Sequence, residues 1–387
     1  MIPAWLLPEY IEDILPPYAR AAEELRRRLL DLFDGHGYEL ITPPLVEYLE
    51  SLLTGAAREL DLQTFKVMDG LSGRMLGVRA DMTPQAARMD AHLLNRQGVT
   101  RLCYAGPVLR TRPAGMLARR EPIQVGAELF GHAGIEADLE IQALLLAALR
   151  VAGLPDMRLS LGHAGLFRAM VAGAGLEIRA AESMFAALRQ KDGPEVLALG
   201  TDLDPVWREA FLALTELYGG REALDQARHT LPRTRDIHQA LDDLSRLMDA
   251  AKDAPVSVDL SDLRGHGYHN GVVMAAYAGG QARAVALGGR YDGAGGVFGR
   301  GRPATGFSLD LRQIMDCLAE PEARRGILAP CEEDAALRCR IEQLRQAGER
   351  VVIELPGQQA FRGESGCDRV LARTATGWDL QPIQPIS

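Results

Sequence analysis

Residues 106–131, GPVLRTRPAGMLARREPIQVGAELFG, gather side chains suited to holding a charged ligand. Ile123, Val125, Ala127 and Leu129 alternate with Gln124, Gly126 and Glu128, and successive side chains of a strand point to opposite faces. One face is therefore core. The other presents an amide and a carboxylate, with Gly126 between them leaving room for something to lie flat on the sheet. Arg110, Arg112, Arg119 and Arg120 add a basic tip before this strand. The plainer alternative is a surface hairpin whose polar face meets water.

The elements that would position these groups are legible on either side. Two extended segments flanking the basic tip predict an antiparallel hairpin. Ahead of it, Ala21, Leu25, Leu29, Leu32 and Phe33 predict a helix over residues 17–33 that ends at Gly35 and Gly37. A short strand over 38–44, broken by two prolines, follows, and residues 64–78 form a second hairpin closed by DGLSG. A helix is expected from Pro84 to Leu94, with proline as its start signal. Residues 136–152 read as an apolar helix and 157–161 as a strand. Residues 163–254 are helical in pattern and read as an insertion outside the sheet, which resumes at Val256.

At 387 residues the chain has the apolar content for two or three domains. No apolar run is long enough to cross a membrane, and the acidic, proline-broken start is unlike a signal peptide, so a cytoplasmic protein is expected. The five cysteines show no C-x-x-C spacing, which argues against a zinc site or a disulfide framework. His266 and His269 have no third ligand nearby, and no metal or cofactor is expected. The net charge of −9 is unfavourable for a polyanion such as tRNA.

The hairpin resembles motif 2 of class II aminoacyl-tRNA synthetases, in particular the histidyl branch. There an arginine ending the first strand meets the ATP α-phosphate, and the return strand carries Q-x-G-x-E facing the amino acid. The resemblance places Arg110 at the arginine position and Gln124 and Glu128 at the amino-acid-facing positions. The loop after Arg110 is one residue shorter than the family's and lacks its glutamate. Residues 37–47 resemble motif 1, which implies a homodimer through that segment.

Three more stretches carry the resemblance. In VRADMTPQAARM, Asp81 and Thr83 stand where the family grips the substrate's α-amino group; a buried ammonium needs such partners. The same two residues could instead cap the helix that follows. DLRGHGYHN resembles the histidyl signature R-G-L-D-Y-Y, with Arg264 facing the substrate carboxylate, Tyr268 as the first tyrosine, His269 in place of the second, and Gly267 in place of the aspartate. Residues 287–314 resemble the G-G-R-Y-D segment and motif 3, with Tyr291 lining the amino-acid pocket and Gly306 opening the motif 3 strand. The motif 3 arginine position is occupied by Gln313. Arg312 stands one residue early, which on a helix turns it about 100° away.

The implied fold is α+β: a class II synthetase-like antiparallel sheet with flanking helices. Its core spans 1–162 and 255–320, with a helical insertion over 163–254 and a reduced anticodon-binding-like domain over 325–387. In that last domain the acids are not outnumbered by the arginines and there is no lysine. R-A-D-M-T-P-Q is closest to the form seen in the ATP phosphoribosyltransferase regulatory subunit family, whose members are synthetase paralogues. That resemblance implies a non-catalytic chain in a hetero-oligomer with the short catalytic subunit, with L-histidine as effector and no tRNA. It assigns Asp81, Thr83, Arg110, Gln124, Glu128, Arg264, Tyr268, His269 and Tyr291 to histidine binding. The alternative is a catalytically active histidyl-tRNA synthetase.

Overall fold

A computed structural model of the chain describes every residue except 1–4, 55–57, 114, 116–117, 252–253, 263–267, 376 and 384–387. It divides into two compact units, Met1–Asp13 with Ala22–Ala319, and Ile14–Ala21 with Glu320–Ser387. The strands of the first are β1 (Glu39–Leu40), β2 (Val46–Tyr48), β3 (Phe65–Met68), β4 (Met75–Val78), β5 (Thr100–Pro107), β6 (Ile123–Phe130), β7 (Arg158–His163), β8 (Tyr218–Gly219), β9 (Val256–Asp259), β10 (Val272–Tyr277), β11 (Ala286–Arg290) and β12 (Ala304–Asp310). Among the described residues nine of these form one sheet in the order β1-β5-β6-β12-β11-β10-β7-β9-β8, and β2-β4-β3 form a small second one. From β5 to β7 every neighbour is antiparallel.

The central position of β6 decides the fate of its polar face. It pairs with β5 on one side and β12 on the other, so Gln124 and Glu128 are 4% and 1% exposed. The surface-hairpin alternative is thereby overturned. On the opposite face the helix Ile135–Ala152 packs over β12 and β6. It is apolar on most sides and buried, it carries Glu136 and Asp138 at its positive N-terminal end, and Gly153 at φ +76° ends it. Arg290 of β11 is tied to this helix by two hydrogen bonds to Asp138, 2.9 and 2.7 Å. Leu25, Leu29 and Phe33, one turn apart on the helix Tyr18–Gly35, are buried, and Phe33 meets Phe307 edge-on at 5.9 Å.

Several elements differ from the expected ones. The strand over 38–44 shrinks to β1, since Pro43 and Pro44 cannot donate to a ladder. The helix after Thr83 continues from Arg88 as a π-helix, Met89–Leu94. The helical stretch after His163 is not wholly separate from the sheet, because β8 lies within it and pairs with β9. In the second unit β13 (Gly326–Pro330), β14 (Val351–Glu354), β15 (Cys367–Thr374) and β16 (Gly377–Pro382) form a sheet in the order β14-β13-β15-β16. The helix Ala335–Gln346 packs Leu337, Ile341 and Leu344 on Ile327, Val351, Leu371 and Trp378. No helix of the described residues is long and apolar enough to cross a membrane.

Candidate functional site

Glu128 sits at the middle of a closed polar network. Its Oε1 accepts hydrogen bonds from the Thr83 hydroxyl at 2.9 Å and the Tyr104 hydroxyl at 2.8 Å, and its Oε2 accepts from the Tyr291 hydroxyl. Thr83 and Tyr104 are also 3.0 Å apart through their oxygens. Strand register explains the assembly. Leu102 pairs with Glu128 and Tyr104 with Gly126 across β5 and β6, while Gly306 of β12 faces Glu128 from the other side. A Cβ on Gly306 would stand 1.7 Å from the Glu128 carboxylate, and one on Gly126 would meet the Tyr104 ring and the Phe307 carbonyl at 2.6 Å. The space beside Gly126 is thus filled by the chain's own Tyr104. A small apolar cluster that includes Met82, Ala86, Leu102, Val108 and Phe130 packs around Tyr104 and Tyr291 and fixes their rings.

A second chain of contacts joins Asp81 to β6. Gln124 donates to Asp81 at 2.9 Å and accepts from the Met82 amide at 2.9 Å, while the Thr83 amide donates to Asp81 at 2.8 Å. Asp81 therefore does bond the first turn of the helix beginning at Thr83, so the capping alternative and a ligand-facing role are compatible. Tyr268 stacks on Tyr291 with centroids 5.0 Å apart, and its enclosed hydroxyl has no hydrogen-bond partner among the described residues. His269 lies 5.3 Å from Tyr268, with Nδ1 3.3 Å from the Arg290 carbonyl.

The electrostatics follow from enclosure. Burial pushes the Glu128 carboxyl up to about 7, although the bonds donated by Tyr291, Tyr104 and Thr83 favour its ionised form. Burial likewise depresses His269 to about 4, so its ring is neutral at physiological pH. The hydrogen-bond partners of Glu128 are hydroxyls, none cationic. An ionised carboxylate in such surroundings calls for a proton or an incoming cation. Among the described residues no cluster of three or more His, Cys, Asp or Glu is placed to hold a metal ion.

Asp81, Thr83, Gln124, Glu128, Tyr268, His269 and Tyr291 are thus gathered within one set of contacts. Arg110 is not bonded to that set: it lines an adjoining cavity of about 310 Å³ with Arg119, Arg283, Asp310 and Gln313, and its Nε donates to the Ala80 carbonyl at 3.3 Å. Gln124 lines the same cavity and links the two regions. Gln313 faces it and bonds Arg283, whereas Arg312 does not line it. Arg264, His266 and Gly267 lie outside the described residues. Tyr104 was missed by the sequence reading; the signal lies in a tyrosine on β5 standing opposite a glycine on β6.

Comparison with known proteins fits this geometry. Residues 10–314 match the family described as histidyl-tRNA synthetase, and residues 324–381 match the ATP phosphoribosyltransferase subunit HisZ C-terminal domain. A solved ATP phosphoribosyltransferase regulatory subunit/histidyl-tRNA synthetase from Bacillus halodurans aligns with a TM-score of 0.84 at 28% identity, over 95% of this chain and 97% of that one. The histidyl-tRNA synthetase of Nostoc sp. PCC 7120 aligns at 0.80 over 98% and 94%, with 18% identity, a likeness of fold alone. Fold and site together define a protein of the class II, histidyl-tRNA synthetase-like type. The ATP phosphoribosyltransferase regulatory subunits of Cupriavidus necator and Burkholderia thailandensis are each 55% identical over 379 residues, 98% of this chain and 99% of theirs. The chain belongs to the family of ATP phosphoribosyltransferase regulatory subunits.

Proposed function

We propose that the site around Glu128 binds L-histidine as the effector of a regulatory subunit that acts with the short catalytic subunit of ATP phosphoribosyltransferase in histidine biosynthesis. The observation that carries this reading is a buried carboxylate with three hydroxyl donors and, among the described residues, no cationic partner, beside an enclosed Tyr268 hydroxyl that has no partner among them either. Asp81, Thr83 and Gln124 hold the α-ammonium, Glu128 and Tyr291 face the imidazole with Tyr268 and His269 beside it, and Arg264 pairs with the carboxylate. Arg110 contributes from the cavity side. The effector acts by differential affinity for two states of the complex, and its coupling to the partner is reciprocal.

The chain itself is non-catalytic in this reading. Transfer of an adenylyl group needs cations poised on the triphosphate, and loss of one such group costs on the order of 100-fold to 1,000-fold; here the cavity presents Gln313 where the synthetase has its motif 3 arginine. An active histidyl-tRNA synthetase is not favoured, since the relatives that match over nearly full length are named regulatory subunits. A homodimer forms through the segment containing β1 and β2, supported by the exposed Leu40, Leu45, Val46 and Tyr48 together with Val67 and Met68 of β3. The expected location is the cytoplasm, with no tRNA bound.

The test is calorimetry with L-histidine, together with histidine-dependent ATP–pyrophosphate exchange on the same protein. Histidine binding without exchange, and histidine-sensitive activation of an added short catalytic subunit, are the expected results. Failure to bind histidine, alone or with the partner, sinks the effector-site assignment, and robust exchange sinks the non-catalytic one.

A further inference from the structure

A segment just inside the N-terminus is bonded to Arg119, one of the arginines that line the 310 Å³ cavity. The Glu12 carboxylate accepts from Arg119 Nε at 2.9 Å and from Arg312 at 3.2 Å, and the Glu12 carbonyl accepts a second bond from Arg312 at 3.4 Å. Two backbone contacts extend the attachment: the Arg120 amide donates to the Tyr10 carbonyl at 2.9 Å, and the Arg120 guanidinium to the Glu9 carbonyl at 3.4 Å. Three residues of this stretch, Glu9, Tyr10 and Glu12, thus bond Arg119, Arg120 and Arg312.

The charge arrangement gives those contacts a purpose. Arg119 lines the cavity, and the charge of Arg312, 8% exposed, is disfavoured first by burial and then by Arg119. Two neighbouring arginines, one of them buried, are stable together only with anions between them. Asp316 supplies one, through bonds of 2.5 and 3.1 Å to Arg119, and Asp310 and Glu121 act on Arg312 from further off. Glu12 is the carboxylate that touches both arginines, and its side chain is 54% exposed. A carboxylate on an exposed strap is a replaceable counter-ion. With Glu12 withdrawn, Arg119 and Arg312 offer paired, geometrically fixed donors beside a cavity whose wall also carries Arg110 and Arg283, an arrangement suited to phosphate oxygens.

We infer that residues 9–12 form a strap that occupies, with the Glu12 carboxylate, a latent anion site at Arg119 and Arg312, so that the strap and an external oligophosphate-class anion compete for the same arginines. Binding of the anion lifts the strap, and seating of the strap withholds Arg119 and Arg312 from phosphorylated ligands. The competition is a feature of this chain's own ionic contacts and is separate from histidine recognition at Glu128.

The experiment is calorimetry with inorganic pyrophosphate on the full chain, in wild type, Glu12→Gln, and Glu12→Gln combined with Arg119→Gln, each held well below its own melting midpoint. Removing the competing carboxylate is expected to tighten pyrophosphate binding about tenfold, and the double variant is expected to lose that gain, because charge-assisted bonds are being exchanged. Hydrogen–deuterium exchange supplies the second readout: in wild type, saturating pyrophosphate should speed exchange of the Arg120 amide, which the strap protects. Equal affinity in wild type and Glu12→Gln, no pyrophosphate binding to either, a gain that survives Arg119→Gln, or an unchanged Arg120 amide would each overturn the inference. Histidine calorimetry on Glu12→Gln reports independently on the site around Glu128.

Discussion

On β6 and β12 the Glu128 carboxylate is ringed by three hydroxyls, whereas at the other end of the same two strands Gln124 and Asp310 border a cavity lined by Arg110, Arg283 and Arg119, the last of which holds its own acidic partners. The two regions share a sheet face and the Gln124 side chain, yet their charges are treated differently. Around Glu128 the chain provides donors that steady a negative charge but no cation to neutralise it. Around Arg119 the cations are already neutralised from within, by Glu12 and Asp316. The contrast is electrostatic: a proton or an incoming cation completes Glu128, whereas an anion at Arg119 must displace a carboxylate first.

The largest way to break the comparison is Glu128→Ala. Hydrogen bonds to a charged group contribute roughly 1.5–3 kcal/mol each, so losing the carboxylate should weaken histidine binding about 100-fold with little effect on pyrophosphate at the cavity. Calorimetry with both ligands checks it. Equal losses for the two ligands would mean that the regions are one site.

Next in size is Gly126→Ala. The added Cβ meets the Tyr104 ring and the backbone carbonyl of Phe307 at 2.6 Å, and because backbone cannot step aside cheaply the cost is about 1–3 kcal/mol of folding stability. Tyr104 should also be pushed from Glu128, so histidine affinity falls together with the denaturation midpoint. A variant with wild-type stability would show that Tyr104 has room to move.

How much of this was legible in the sequence depends on how local the signal is. The alternation of β6, the β3–β4 hairpin and the helix Ile135–Ala152 follow from period-two and helical spacing, which a short window displays. That the polar face of β6 is buried could not be read in that way, since it depends on β12 arriving from the far end of the chain. Tyr104 is hidden for the same reason: in TRLCYAGP nothing marks it until Gly126 is set opposite. Glu12 and Arg119 are 107 positions apart, and β16 in GWDLQP lacks an apolar run, so neither had a local signature. The family resemblance assembled Asp81, Thr83, Gln124, Glu128, Tyr268, His269 and Tyr291 before the geometry did; Arg110, which it groups with them, lines the adjoining cavity and donates to the Ala80 carbonyl next to Asp81.

A smaller effect is expected from single hydroxyl deletions. Tyr291→Phe and Tyr104→Phe each remove one donated bond from Glu128 while leaving the ring in place, and each should weaken histidine binding about tenfold. Both should also move the Glu128 midpoint above about 7, because the deleted bonds favour the ionised form. Titration of the Glu128 carboxyl carbon by NMR distinguishes this from a packing effect, which would leave the midpoint in place.

The smallest signal is a slope in stability with pH, and its size is limited because Glu128 and His269 oppose each other. Glu128 has a folded-state value raised from 4.5 to about 7, so its contribution is fully present below about pH 4.5 and is lost as pH rises through 7. His269 is lowered from 6.5 to about 4, so its contribution is fully present above about pH 6.5 and is lost as pH falls towards 4. Between pH 4.5 and 6.5 the two partly cancel. Glu128→Gln removes the first term alone: relative to wild type, the variant's melting temperature should climb as pH is raised from 5 to 7 and then level off. The arginines of the cavity add no such term, since guanidinium groups stay charged throughout this range, and the Asp310 carboxyl beside them, raised by burial, contributes equally to wild type and variant. If the difference between the two melting profiles is flat across pH 5 to 8, Glu128 is not the titrating group that distinguishes the two halves of this sheet face.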